Sequence, residues 1–400
     1  MPSSCLGDLP VELLQAIASR LATEDLCSLR SSSKRIYEST QHNFRCSFFQ
    51  KLQINLSINS LERLRDIAND SELAPHVHTL VVKFVDEPED KLGEGLSWNR
   101  HPSGYLLPEA GVQQWTDVLR CLVNCTSFHL IRVGWSDEDT CLNYFTSTDI
   151  ITVILNGIIK ARISVREFFV DFIPEDRQGA NALDERRLNV PDLYRPEFIA
   201  VWANLQALVL NFSMEQIEIT DWIDPMFRHA TDLRKLTIKF DRGDAQHAII
   251  ERLSSIETPS QLEDLTLETV TIPKISEASF SKLLCQYRDS LHVLNMRQVT
   301  LDDPSWKSVF RKVIDFPLLQ SFSFNFLRED GKFVHFPIAS TIPVTGQVTE
   351  FTFRSKVRGR RTINTCVRCR GPSAKATFQK LVESMEVDRP SYRATRATGE

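Results

Sequence analysis

The 400-residue sequence predicts an α/β architecture: a helical N-terminus, then an irregular solenoid of strand–helix units with a parallel sheet on its concave face. Two observations carry this. A pattern of apolar, two others, apolar, one other, apolar recurs along the chain, and segments of helical length lie between its copies. From Leu205 onward the copies begin at 205, 233, 262, 291, 319 and 348, in steps of 28, 29, 29, 28 and 29 residues. A fixed period with one internal spacing marks a single supersecondary unit per repeat. Generic strand–helix alternation in a doubly wound sheet has no reason to keep a period.

In chain order, residues 8–38 come first. Leu9-Pro10 opens the stretch, and Pro10 suits a first helical turn because its missing N–H would have no partner there. Leu13, Ile17 and Leu21 then line one helical face, with Leu14 beside them. Thr23 is the expected cap of a second helix carrying Leu26 and Leu29, and Ser31-Ser32-Ser33 interrupts the pattern before Lys34-Arg35-Ile36-Tyr37. The stretch is too short to bury all these leucines within itself, so some must face a partner or the rest of the chain.

Leu9-Pro10-x-Glu12-Leu13-Leu14, then Ile17, Leu21, Asp25-Leu26, Leu29 and Lys34-Arg35, resembles the F-box in order and spacing. The resemblance implies a three-helix module that docks on the Skp adaptor and, through it, on the cullin of a ubiquitin ligase. It makes Leu9, Pro10, Leu13, Leu14, Ile17, Leu21, Leu26 and Leu29 the candidate adaptor-binding residues, some of them necessarily core. The sequence departs from the usual pattern at Ser32-Ser33, where Val-Cys is common, and at Ile36, where an aromatic is frequent.

Next, Phe48 to Ile58 alternates in part and predicts a first strand, and Ser60 to Ile67 an amphipathic helix. Copies of the apolar pattern start at Val77, Cys125, Val165, Leu205, Leu233, Leu262, Leu291, Leu319 and Val348. Helices are expected over Asp149–Ala161, Asp244–Ser255, Ser276–Arg288 and Ser305–Ile314. The longer early steps require insertions, and Asp86–Ala110 and Pro174–Pro196 have loop composition. Ala374–Val387 is expected to close the array. The division is then 1–47 for the F-box, 48–372 for the solenoid and 373–400 for a capping helix and flexible tail. An F-box before irregular repeats is similar to the F-box/leucine-rich-repeat substrate receptors, although the strand turns lack the Asn or Cys of tighter repeats.

Composition bounds the function. With 42% hydrophobic and 25% charged residues the chain is an ordinary globular protein, and a net charge of −5 supplies no basic field for nucleic acid. No apolar run approaches the roughly 18–20 residues of a membrane span. Nine cysteines without framework spacing fit free thiols in a reducing compartment, so the expected location is cytoplasmic or nuclear.

Chemistry-bearing motifs are few. No phosphate-binding loop, dinucleotide fingerprint, zinc-protease helix or nucleophile elbow occurs. Cys366-x-x-Cys369 lacks the second pair of ligands that structural zinc requires, and His76-x-His78 has no further His or Cys nearby in sequence. Asp86, Glu87, Glu89 and Asp90 are an acidic cluster around Pro88, suited to facing water. No catalytic residue, metal or cofactor is therefore expected.

Alternation within each strand places Lys83, Ile131, Asp171, Asn211, Lys239, Glu268, Arg297, Asn325 and Arg354 in one outward row. Val81, His129, Phe169, Val209, Thr237, Thr266, Asn295, Ser323 and Thr352 form the row beside it. Phe169, Asp171, Asn211, Lys239, Glu268, Arg297, Asn325 and Arg354 are the candidate contacts for a target protein. Residues 354–370 are basic, suited to an acidic partner or to a solvated edge. The expected function is a ubiquitin-ligase substrate receptor; the alternative is a stand-alone repeat scaffold with a helical cap.

Overall fold

The computed structural model describes residues 6–84, 94–96, 99–101, 104–106, 109–132, 147–172, 192–213, 219–241, 246–256, 261–272, 277–301, 305–342, 350–358 and 361–387. The acids at 86–90 and the tail after 387 lie outside them. The chain forms two compact units: Met1–Pro174 with Arg186–Trp202, and Glu175–Glu185 with Ala203–Glu400.

The first unit opens with α1 (Val11–Ala18), α2 (Thr23–Ser31), α3 (Lys34–Ser39) and α4 (Gln41–Phe49). The expected three helices are thus four segments. Only Thr40 separates α3 from α4; it is fully buried and its Oγ1 donates to the Ile36 carbonyl at 2.7 Å, which holds the bend. Thr23 is the first residue of α2 rather than its cap, since Ala22 holds the extended backbone before it.

The strand expected over Phe48–Ile58 shortens to β1 (Lys51–Ile54), because α4 runs to Phe49 and α5 (Ile58–Asn69) starts at Ile58, with Ser57 accepting from the Ser60 N–H at 3.2 Å. β2 (Thr79–Phe84) follows, then a small hairpin, β3 (Asn99–His101) and β4 (Gly104–Leu106), inside the segment read as an insertion loop. Next come α6 (Glu109–Cys121), β5 (Ser127–Arg132), α7 (Ser147–Ala161), β6 (Glu167–Asp171) and α8 (Pro196–Trp202). β1, β2, β5 and β6 pair in parallel in that order. Gly157 lets α7 approach α6: a Cβ there would lie 2.2 Å from the Trp115 ring nitrogen.

In the second unit β7 (Ala207–Ser213), β8 (Lys235–Asp241), β9 (Asp264–Glu268), β11 (Val293–Arg297) and β13 (Ser321–Asn325) form a parallel ladder. The returns are α9 (Ile219–Arg228), α10 (Gln246–Ser255), α11 (Glu277–Gln286) and α12 (Trp306–Val313). Alternate strand residues are buried, and their partners on the other face are part-exposed, as in β9, β11 and β13. One face therefore packs under the helices, which separates this architecture from a sheet covered on both sides. The units are solenoid-like α/β arrays of strand–helix repeats.

A repeated turn explains how the array manages without Asn or Cys. Thr269, Gln298 and Phe326 each follow a strand at φ +56°, +54° and +55°. This left-handed backbone is costly for a β-branched or bulky residue. Each amide is satisfied by the next strand: Thr269 donates to the Arg297 carbonyl, Gln298 to Asn325 and Phe326 to Thr365, at 2.7–2.9 Å. The turn then feeds a second, small sheet made by β10 (Thr271–Ile272), β12 (Thr300–Leu301), β14 (Arg328–Glu329), β15 (Lys332–His335) and, after α13 (Ala374–Ser384), β18 (Glu386–Val387).

The ninth copy of the pattern departs from the expectation. It becomes β16 (Glu350–Arg358), the outer strand of an antiparallel hairpin, and β17 (Arg361–Arg370) inserts between it and β13. A short return from β16 gives an adjacent antiparallel strand, where a parallel one would need a crossover. α13 closes the unit with Phe378, whose ring lies 5.0–5.4 Å from those of Phe310, Phe322 and Phe324. Trp306 completes this core and its indole N–H donates to the Arg328 carbonyl at 2.7 Å.

Candidate functional site

The N-terminal helices sort their apolar residues into two sets. Leu14, Ala18 and Leu26 are fully buried and Ile36 nearly so; they are the module's interior. Leu6, Val11, Leu13, Ile17 and Tyr37 are exposed, with Leu13 at 51%. Of the candidate adaptor contacts, Pro10, Leu13 and Ile17 face solvent, Leu9, Leu21 and Leu29 are half-buried, and Leu14 and Leu26 are sealed inside. Exposed leucine and isoleucine on adjacent turns of one short helix form a contiguous apolar surface, which has a free-energy reason to be covered.

The departures from the usual pattern have local roles. Ser33 caps α3 by accepting from the Ile36 N–H at 3.2 Å, Ser32 donates to the Leu29 carbonyl at 2.6 Å, and Ile36 fills the interior. Arg30 was not singled out by sequence, yet it locks the module. It is 7% exposed, its guanidinium sits 4.2 Å from the ring centres of both Tyr37 and Phe44, and it donates to the Tyr37 carbonyl at 3.3 Å. A cation between two aromatic faces in a desolvated site is strongly held. An arginine within a polar-looking helix gives no sequence signal of this.

Residues 6–49 match the F-box-like family model.

The matched segment ends with α4, one residue before β1. No curated protein matches the chain.

The outward rows have the expected register within each unit. In the first, Lys83, Ile131 and Asp171 are aligned, as are Val81, His129 and Phe169. Phe169 is half-buried, stacked on His129 with ring centroids 4.2 Å apart, and Val81 beside them is buried. Burial, then Lys51, lowers the His129 pKa against the opposing pull of Glu167, whose carboxylate lies 3.6 Å from Nε2. Asp171 is exposed.

In the second unit Asn211, Lys239, Glu268, Arg297 and Asn325 are aligned, and Cys366 of β17 separates Asn325 from Arg354. Arg297 and Arg354 are exposed, Lys239, Glu268 and Asn325 half-buried, and Asn211 is only 6% exposed, which leaves little of it for a partner. The neighbouring row is a polar ladder. Asn295 donates to Thr266 at 3.1 Å and Asn325 to Ser323 at 3.0 Å, while Arg297 pairs with Glu268 at 3.8 Å and Lys235 with Asp264 at 3.9 Å. Burial raises the Asp264 pKa, with Lys235 and Thr266 opposing it.

Cys366 and Cys369 sit opposite Asn325 and Phe322 on β17. Three residues apart on a strand, they point to opposite sheet faces, a geometry that suits neither a shared metal nor a bridge. Burial pushes the Cys369 thiol up to about 11. The fold does bring His42 and Cys46 to His76: the Cys46 sulfur lies 3.5 Å from one imidazole and 3.6 Å from the other. Among the described residues no group of three His, Cys, Asp or Glu is arranged to hold a metal ion, and no helix is long and apolar enough to cross a membrane.

Proposed function

We propose that this chain is a substrate-recognition subunit of a Skp–cullin–F-box ubiquitin ligase, of the F-box/leucine-rich-repeat type. The F-box docks the Skp adaptor, the outer sheet face takes a target protein, and bond-making belongs to other subunits, so the chain itself has no catalytic residue. Holding two reactants together is a large rate effect in its own right. One observation carries the reading: an F-box-like domain with a closed interior that still leaves Pro10, Val11, Leu13 and Ile17 on its surface. The 28–29-residue period, the one-faced parallel sheets and the repeated left-handed turns support a leucine-rich-repeat array.

The target surface best supported is the Phe169–His129 stack with Asp171 beside it. A part-exposed aromatic among charges has the composition of an interface anchor. On the second unit, taken by itself, Lys239, Glu268, Arg297, Asn325 and Arg354 supply polar contacts for a target protein.

Co-purification with the Skp adaptor and cullin tests the receptor reading, comparing wild type with Leu9→Ala/Pro10→Ala and with Leu13→Asp. Wild type is expected to retain both partners and the variants to lose them. A folded wild type that retains neither overturns the reading and leaves a repeat scaffold with a helical cap.

A further inference from the structure

β16 is the last strand of its sheet: β17 occupies one side, and among the described residues nothing pairs with the other. A strand in this position offers a row of backbone N–H and C=O groups to any extended chain that approaches. Natural proteins often blunt such an edge with a bulge, but here the register slip after Arg354 skips Thr365, on the inner strand β17, so β16 stays continuous.

Its two faces differ in chemistry. On the outer face Arg354 lies beside Cys366, Thr352 beside Arg368 and Glu350 beside Arg370. Arg354, Arg368 and Arg370 are exposed, and none of the three makes an ion pair with a described residue. Three cations against one carboxylate leave this face positive. On the opposite face Phe351 is buried but Phe353, 6.3 Å from it between ring centroids, is 39% exposed. An added strand would extend the cover over that ring.

We propose that the free edge of β16 binds an extended acidic peptide segment by strand addition. Side chains of an added strand alternate between faces, so the matching sequence alternates acids, facing Arg354 and Arg368, with apolar residues that pack against Phe353. The same charge disfavours pairing between two copies of this edge, because like charges across a strand pair are destabilising. A basic edge therefore suppresses self-association while it selects an acidic partner. The segment involved lies wholly within the second unit, and the inference does not depend on adaptor docking by the F-box.

The test uses the full chain and two short labelled peptides, one alternating Glu with Val and the other Lys with Val. Binding is followed by anisotropy, and amide hydrogen exchange is read over Glu350–Arg354. The acidic peptide is expected to bind and protect these amides, and the basic one to fail. The Arg354→Glu/Arg368→Glu variant is expected to lose at least about tenfold in affinity for the acidic peptide and to gain the basic one. That exchange of preference separates loss of charge from loss of folding. Equal binding of both peptides, binding without protection of 350–354, or no binding of the acidic peptide overturns the proposal.

Discussion

The outer sheet faces of the two units present equivalent strand positions with different chemistry. In the first unit the central row reads Val81, His129, Phe169, an apolar and aromatic strip. In the second it reads Val209, Thr237, Thr266, Asn295, Ser323, with Arg368 added by β17. The helix-facing residues are alike in both, large and fully buried, because each strand must close the same kind of core. Only the outer face is free to vary, so it is where a repeat array encodes a partner. Thr266 and Asn295 bond to each other, a self-satisfied surface that gains little from being covered. Phe169 gains more, since its ring still has solvent to lose.

The largest effects are expected on the helix-facing side. Phe324→Ala, which removes a ring packed against Phe310, Phe322 and Phe378, is expected to cost roughly 3–5 kcal/mol by denaturant unfolding. Gly157→Ala should cost about 1–3 kcal/mol in the first unit through overpacking against Trp115, read as a lower thermal midpoint. Phe169→Ala, on the outer face, is expected to lose only about 1 kcal/mol with its stack on His129 while sharply weakening target capture. A stability loss as large as that of Phe324→Ala would place Phe169 among the core residues.

Acid provides a smaller probe. The His129 pKa is depressed on folding, so the unfolded chain takes up this proton first and stability rises with pH through the interval below about 6.5. Acidification from neutral pH to below 6 should therefore destabilise the first unit, and His129→Gln should flatten that slope in pH-dependent melting. The smallest effect is chemical. Burial holds the Cys125 thiol up at about 12, whereas Cys27, Cys121 and Cys285 are exposed. Alkylation of the native protein followed by mass mapping should label those three and spare Cys125 and Cys369.

Much of this was legible in sequence because periodicity is a local signal. The 28–29-residue step located β7, β8, β9, β11 and β13, and alternation set which residues share a face. The ninth copy misled because Phe351 and Phe353 have the spacing of a repeat whether the next strand is parallel or antiparallel. That choice was made by the short return to β17, which the pattern does not encode. Leu13 and Leu14 are adjacent and chemically alike, yet one is 51% exposed and the other 0%. Tertiary packing by α3 and α4 separates them, and helical spacing alone could not. Arg30 between Tyr37 and Phe44, and the approach of Cys46 to His76, were invisible for the same reason: the partners come from different elements.

The proposed docking site for the adaptor is the surface of the F-box-like domain and not its interior. Titration calorimetry of purified Skp adaptor into the full chain tests it, with Leu13→Asp/Ile17→Asp and Phe169→Ala as the paired variants. A one-to-one complex is expected for wild type, abolished in the first variant at an unchanged thermal midpoint and retained in the second. Unimpaired adaptor binding by the folded Leu13→Asp/Ile17→Asp variant would contradict it.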